Sequence, residues 1–315
     1  MTVAVVAGGV GAARLLRGLV IAVPAAEVTA IVNVADDEVI HGLAISPDLD
    51  TVTYTVAGEI DPERGWGLAG ESWVAMDSLR RFTTHTARPD IGWFNLGDRD
   101  LGTHLYRTSR LTEGARLSEV TSEIAGSWGL ELRLLPVSDD PIATRIESVD
   151  HGWLTFQEYF VRHQHGVAVR SVTFEGAEQA TPAPGVLAAI ADADAVIVAP
   201  SNPIVSIGPV LSVPGVRDAL IARRSDTVAV SPIVGGKALK GPADRLLVEL
   251  GHESSVVGVA RIYREIAATL VIDESDRHLA PEVEAAGMQC VVAPTIMVDP
   301  AAAADLSRVC LGAAK

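Results

Sequence analysis

The stretch Val3-Ala4-Val5-Val6-Ala7-Gly8-Gly9-Val10-Gly11-Ala12-Ala13-Arg14 opens the chain and leads into a helix-period segment over 12–20. A short β-branched run, a glycine turn and an amphipathic segment read as the start of a βαβ unit. Its glycines bring backbone N–H groups and a helix N-terminus close enough to cradle a phosphate. The dinucleotide fingerprint G-x-G-x-x-G is incomplete, because Gly9 and Gly11 fit but Arg14 stands where the third glycine packs helix on strand. That weakens a dehydrogenase reading. A cation one turn into the helix suits a diphosphate, although an ordinary surface arginine could stand there too.

Outward from this stretch, similar apolar runs recur at 28–34, 92–96, 130–135, 195–199, 227–230, 269–272 and 290–293. Helix-period segments at 72–82, 117–128, 185–192 and 242–250 lie between many of them. Such alternation predicts an α/β fold: a doubly wound, mostly parallel Rossmann-like sheet with a smaller inserted segment. We assign 1–140 and 190–315 to the nucleotide- and phosphate-binding core and 141–189 to an inserted α/β segment. The predicted strands run into polar loops, among them Asn33-Val34-Ala35-Asp36-Asp37, Gly97-Asp98-Arg99-Asp100, Pro136-Val137-Ser138-Asp139-Asp140 and Pro200-Ser201-Asn202-Pro203. In a parallel sheet these carboxyl-end loops share one edge, where ligands bind.

The 315 residues are 48% hydrophobic and 21% charged, which places the chain among globular proteins and outside the disordered class. Forty acidic against 25 basic residues give a net charge of −15. This excludes a nucleic-acid binder that neutralises phosphates broadly, so an anionic ligand must be held locally. Three of the basic residues are lysines, and Lys237 and Lys240 share one glycine-flanked loop that is a candidate anion site. Cys290 and Cys310 form no metal or redox motif and fit a reducing compartment. Residues 195–216 carry no formal charge, but Pro200, Pro203, Pro209 and Pro214 break any spanning helix, and a membrane role is not expected. No signal peptide is visible, and a cytoplasmic protein is expected.

Asp36, Asp37, Glu38, Asp48 and Asp50 crowd one acidic segment. Either solvent or a cation must offset their repulsion, and hard oxygen ligands beside a phosphate loop point to Mg²⁺. Asp98, Asp139 and Asp140 also fit helix caps or surface turns. Phe156, Tyr159 and Phe160 have core-facing helical spacing, and His163 and His165 lack a third metal ligand in the sequence.

Taken together, the loops resemble the 2-phospho-L-lactate transferase family, also called phosphoenolpyruvate transferase or CofD-like, of deazaflavin coenzyme F-420 biosynthesis. The resemblance runs through the glycine loop, Asn33 to Asp37, Ile45-Ser46-Pro47-Asp48-Leu49-Asp50-Thr51, Trp66-Gly67 with Gly70 to Trp73, and Asn95 to His104. It continues through Leu135 to Pro141, Phe156 to Arg162, Ser201 to Pro209 and Ser231 to Pro242, essentially the whole chain.

The resemblance implies that the terminal ribityl hydroxyl of 7,8-didemethyl-8-hydroxy-5-deazariboflavin (Fo) attacks the phosphorus bearing lactate or enolpyruvate in a guanosine diphospho-donor. GMP is released, Mg²⁺ is the cofactor, and a homodimer is expected. Asp50 and Arg88 are then acceptor contacts, and Gly9, Gly11, Arg14, Asn33, Ser201, Asn202, Ser206 and Lys237 form the nucleotide and phosphate side. Asp36, Asp37 and Asp50 are the expected metal ligands. Asp50, or failing it Asp37, is the expected catalytic proton acceptor, since a carboxylate can take up the proton of a weakly acidic alcohol. The rival is a nucleotide-sugar-binding regulatory protein on a related fold, which would need no acceptor pocket.

Overall fold

Seven parallel strands form the central sheet: β1 (Val3–Ala7), β2 (Val28–Val32), β5 (Arg133–Pro136), β9 (Ala195–Val198), β10 (Thr227–Val230), β13 (Thr269–Ile272) and β14 (Gln289–Val292). The computed structural model describes residues 1–86 and 92–314. The spatial order is β14-β13-β10-β9-β1-β2-β5, so the chain winds outward from β1 in one direction, returns, and winds outward in the other from β9. The winding reverses between β1 and β9. β1 and β9 are buried at every position, as expected of strands covered on both faces.

Register sets the position of the loops. Ala7 pairs with Val32, Val6 with Val198, and Val32 with Pro136, so the chain leaves β1, β2, β9 and β5 at one height. The first helix, α1 (Gly9–Ala22), has no acidic residue in its first turn and no side-chain cap. A different close approach, helix on helix, is made at Gly18, where a Cβ would collide with the Ala303 backbone of the C-terminal helix Pro300–Ala313.

Seven of the eight apolar runs are the seven sheet strands, with ends shifted by a few residues. The run at 92–96 is not a strand. Its Leu96 packs beside Ile40, Ile45 and Met76 in a satellite cluster, because a short apolar run satisfies burial as well in an irregular segment as in a strand. Ile40 and Ile45 come from the hairpin β3 (Glu38–Ile40) and β4 (Leu43–Ile45), and Met76 from α3 (Val74–His85).

Within the inserted segment, β6 (Ala143–Ser148), β7 (Gly152–Thr155) and β8 (Val169–Glu175) form an antiparallel sheet ordered β7-β6-β8. Its apolar side packs Ile146, Leu154, Tyr159 and Val169 against Val205 and Leu246 from the core. The helix Val186–Asp192 spans the assigned boundary and buries Val186 and Ile190 in the main core. The hairpin β11 (Ile233–Val234) and β12 (Lys237–Ala238) follows β10.

Among the described residues no single helix is long and apolar enough to cross a membrane. The turn-and-helix Pro203–Ser212 and the helix Val216–Ala222 meet that test only as a pair bent by 95°, and Val205, Ile207, Val210, Leu211, Val216 and Leu220 in it are buried. Cys290 and Cys310 are both free thiols.

Candidate functional site

The sequence reads as an acidic loop where the structure has a helix, α2 (Pro47–Ala57). Pro47 sits in its first turn, Asp48 and Asp50 favour its positive end, and Gly58 closes it in the left-handed region at φ 78°, three ordinary helix signals. They are masked by threonine and valine, residues that favour strands. The consequence is geometric, since positions i and i+2 of a helix point about 200° apart. Asp48 therefore faces the glycine loop while Asp50 faces α4 (Asp100–Thr112).

A cavity of about 670 Å³ opens at the switch point between β1 and β9. Its wall includes a polar set, Gly8–Gly11, Arg14, Asp36, Asp48, Ser201, Asn202, Ser206 and Lys240. Ser201 Oγ donates to the Gly8 carbonyl at 2.6 Å and ties the loop after β9 to the loop after β1. A Cβ on Gly11 would run into the Pro200 carbonyl oxygen, so only glycine permits this approach. Asn202 Oδ1 accepts from the Ile204 amide at 2.9 Å and starts the π-helical turn Pro203–Ile207. That turn carries Ser206 so close to Gly8 that a Cβ there would lie 2.9 Å from the Ser206 Cβ and 3.0 Å from Asp48 Oδ2.

Asn33, at the end of β2, organises the acidic pair. Its Nδ2 donates to Asp36 Oδ2 at 3.1 Å and to Asp48 Oδ2 at 3.0 Å, and its Oδ1 accepts from the Ala35 amide. Asn33 itself is fully buried behind the cavity wall. Burial, then the charge of Asp48, holds the Asp36 carboxyl well above the usual range. Burial also raises Asp48 to about 6, against the pull of Asn33 and the Gly9 amide. Asp36 Oδ1 is buried without a hydrogen-bond partner. Two adjacent carboxylates that resist ionisation, one with an orphaned oxygen, are a donor set that fits a hard dication. Asp48 meanwhile occupies the Gly9 amide, so an anion enters there only once that carboxylate is neutralised or displaced.

The other predicted carboxylates lie elsewhere. Asp37 is half-buried outside the cavity wall and accepts from Ser46 Oγ at 2.6 Å, and burial again raises its affinity for protons. Asp50 is buried between α2 and α4, where Arg107 grips both of its oxygens, with Nη1 to Oδ2 at 3.1 Å. His104 Nδ1 lies 3.7 Å from Asp50 Oδ2, and His104 Nε2 lies 3.4 Å from Asp100 Oδ2. The Tyr54 hydroxyl donates to Asp100 Oδ1 at 2.6 Å. Asp50, Asp100 and His104 bring ligand atoms within 4.8 Å of one another and could hold a metal ion, but in competition with the Arg107 guanidinium that already neutralises Asp50. Lys237 is exposed on β12, and Lys240, three residues on, is the lysine on the cavity wall. Arg88 lies outside the described residues.

Asp98 accepts from the Val74 and Ala75 amides at 2.9 and 3.0 Å and caps α3. Asp139 accepts from the Ser118 amide at 2.7 Å and Asp140 from the Thr181 amide at 2.8 Å. These three are structural.

The cavity wall also carries an aromatic set. Trp66, Trp93, Phe94, Phe156 and Phe160 line the cavity with Ile296 and Met297, and Phe156 and Phe160 stack with centroids 5.4 Å apart and planes 18° off parallel. Of the three aromatics whose spacing reads as core, Tyr159 is buried and the two phenylalanines face the cavity. The chain bulges through the π-helical turn Glu158–Arg162 there, which rotates side chains off the regular helical faces.

Comparison with known proteins agrees with this architecture. A phosphoenolpyruvate transferase of Kitasatospora aureofaciens is 42% identical over 320 aligned residues, covering 100% of this chain and 98% of that protein. One of Nocardia farcinica is 43% identical, covering 97% and 92%. A solved Bacillus halodurans protein described as a UPF0052 family member shares the fold at a TM-score of 0.62 and 18% identity, over 98% of each chain. The family described as "2-phospho-L-lactate transferase CofD" matches residues 3–296, a span that takes in the glycine loop, the Asn33-bridged aspartates and the aromatic wall, and the chain belongs to that family.

Proposed function

We propose that this protein transfers a phosphoenolpyruvate or 2-phospholactate moiety from a guanosine diphospho-donor to the ribityl hydroxyl of Fo, releasing GMP. One observation carries the reading: a single cavity of about 670 Å³ at the switch point is lined both by the glycine loop and by five aromatic side chains, which suits a phosphate donor and a flat aromatic acceptor together. A nucleotide-sugar-binding protein would have use for the glycine loop alone. The relatives named phosphoenolpyruvate transferase favour the enolpyruvyl donor.

On this reading Asp36 and Asp48 hold Mg²⁺ in place of the expected trio Asp36, Asp37 and Asp50. The ion, when bound, supplies positive charge to the phosphate oxygens. The N-terminus of α1 and Arg14 bind the diphosphate, Ser201 and Asn202 fix the nucleotide side, and the aromatic wall orients the acceptor. The P–O bond to GMP breaks as the bond to the ribityl oxygen forms, and the hydroxyl proton leaves to water, since Asp36 and Asp48 are engaged with the ion on this reading. Asp50, gripped by Arg107, sets the orientation of α2 and does not touch substrate.

The test is incubation with Fo, Mg²⁺ and the enolpyruvyl, lactyl or glyceryl guanosine diphospho-donor, with mass spectrometry for a phosphodiester product and GMP. Formation of both with one donor supports the reading. Binding of GDP with no product from any donor favours the regulatory alternative.

A further inference from the structure

Lys240 follows β12 in the loop 239–242, whose Leu239, Lys240, Gly241 and Pro242 all line the cavity. Its side chain crosses to the loop 61–67, where a Cβ on Gly65 would lie 2.6 Å from Nζ. Gly65 also has φ +73°, a left-handed backbone that favours glycine there. Burial first, and then the charge of Arg14, lowers the Lys240 pKa, so the two cations are near enough to repel. Neither pairs with a carboxylate among the described residues, although the chain has 40 acidic residues and net charge −15. Two like charges without a carboxylate partner, both on the wall of one cavity, make a site for a multiply charged anion.

We propose that Lys240 and Arg14 form a clamp on the terminal phosphate of the donor's diphosphate, and that Lys240, by spanning to Gly65, closes the cavity mouth over it. The inference rests on the diphospho-donor reading above and adds the residue that distinguishes a diphosphate from a monophosphate. The two side chains divide the work. The Arg14 fork can take two phosphate oxygens in one plane, while the lysine is a compact point charge on a flexible stem, suited to follow the ligand in and out. Because the clamp lies at the exposed mouth, its contribution falls with added salt.

The test measures GDP and GMP binding by calorimetry, in Mg²⁺, to the wild type, Lys240→Met and Lys240→Arg, with melting temperatures as a check on folding. Lys240→Met is expected to weaken GDP about 10- to 100-fold, the range for a lost hydrogen bond to a charged group, and GMP by less than about twofold. Lys240→Arg is expected to restore most of the GDP affinity. Equal losses for GDP and GMP, or unchanged GDP binding by Lys240→Met, would overturn the clamp while leaving the transferase reading intact. A wild type that binds neither nucleotide removes the donor reading itself and the clamp with it.

Discussion

Replacing Asp48 with asparagine should make the metal-free protein more stable. Burial holds this carboxyl at about 6 against an ordinary aspartate value of 3.8, and each unit corresponds to about 1.36 kcal/mol. Asp48 thus stabilises the fold fully only below pH 3.8, when it is protonated in both states, and that contribution is lost as pH rises through 6. The penalty at pH 7.5 is about 3 kcal/mol, and linkage reduces it to about 1 kcal/mol at pH 4.5. The asparagine side chain carries no charge, so it escapes the desolvation penalty, and it keeps one acceptor oxygen for Asn33 or the Gly9 amide. With an unfolding entropy of about 2.1 cal/mol/K per residue, about 3 kcal/mol raises the melting temperature of 315 residues by about 4–5 °C. Scanning calorimetry of both proteins in EDTA at pH 7.5 and 4.5 should show a gap of that size narrowing to about a third. Added Mg²⁺ should raise the wild-type transition and leave the variant where it was. A variant no more stable than wild type at pH 7.5, or a gap that does not narrow in acid, would refute the claim that Asp48 is an uncompensated buried carboxylate awaiting a cation.

Three further outcomes follow from neighbouring parts of the fold. Arg107→Met strands a buried Asp50 and should destabilise by about 3–5 kcal/mol in urea titrations, most of it regained in the Arg107→Met/Asp50→Asn double variant, where neither charge remains. Gly18→Ala should lower the urea midpoint by forcing α1 away from the Ala303 backbone, while GDP affinity measured under native conditions stays near wild type. Phe160→Ala should raise the KM for Fo several-fold and leave the donor KM unchanged. A shift confined to the donor would place the aromatic wall on the nucleotide side.

The sheet was legible because parallel strands buried on both faces have little compositional freedom. Val3–Ala7, Ala195–Val198 and Thr269–Ile272 are built almost wholly of valine, alanine, isoleucine and leucine, with a threonine at one end, and lie between polar loops, and no competing structure uses so short a run as well. The satellite cluster around Leu96 was not legible, since Phe94 and Leu96 pack by distant contacts with β3, β4 and α3 that no local period announces. Nor was the split among the lysines. Lys237 and Lys240 differ by three residues and both are exposed, and only Lys240 reaches the cavity wall.

The acidic segment shows how charge density along a chain differs from charge density in space. Five acidic residues within 15 positions look like one site in the sequence, but the pitch of α2 divides them. Asp48 turns to Asp36 through Asn33, and Asp50 turns to Arg107. The second group is neutralised by a protein cation and serves to hold α2 against α4. The first has no protein cation, and Asn33 can only bridge it with amide hydrogens, so its charge is left to be met by what binds. A rigid helix held by one carboxylate is what allows the other, two residues earlier, to stay unneutralised beside the glycine loop without the loop spreading apart. If so, loosening the Asp50–Arg107 grip should weaken Mg²⁺ affinity at Asp36 and Asp48 even though neither residue of the grip touches the ion.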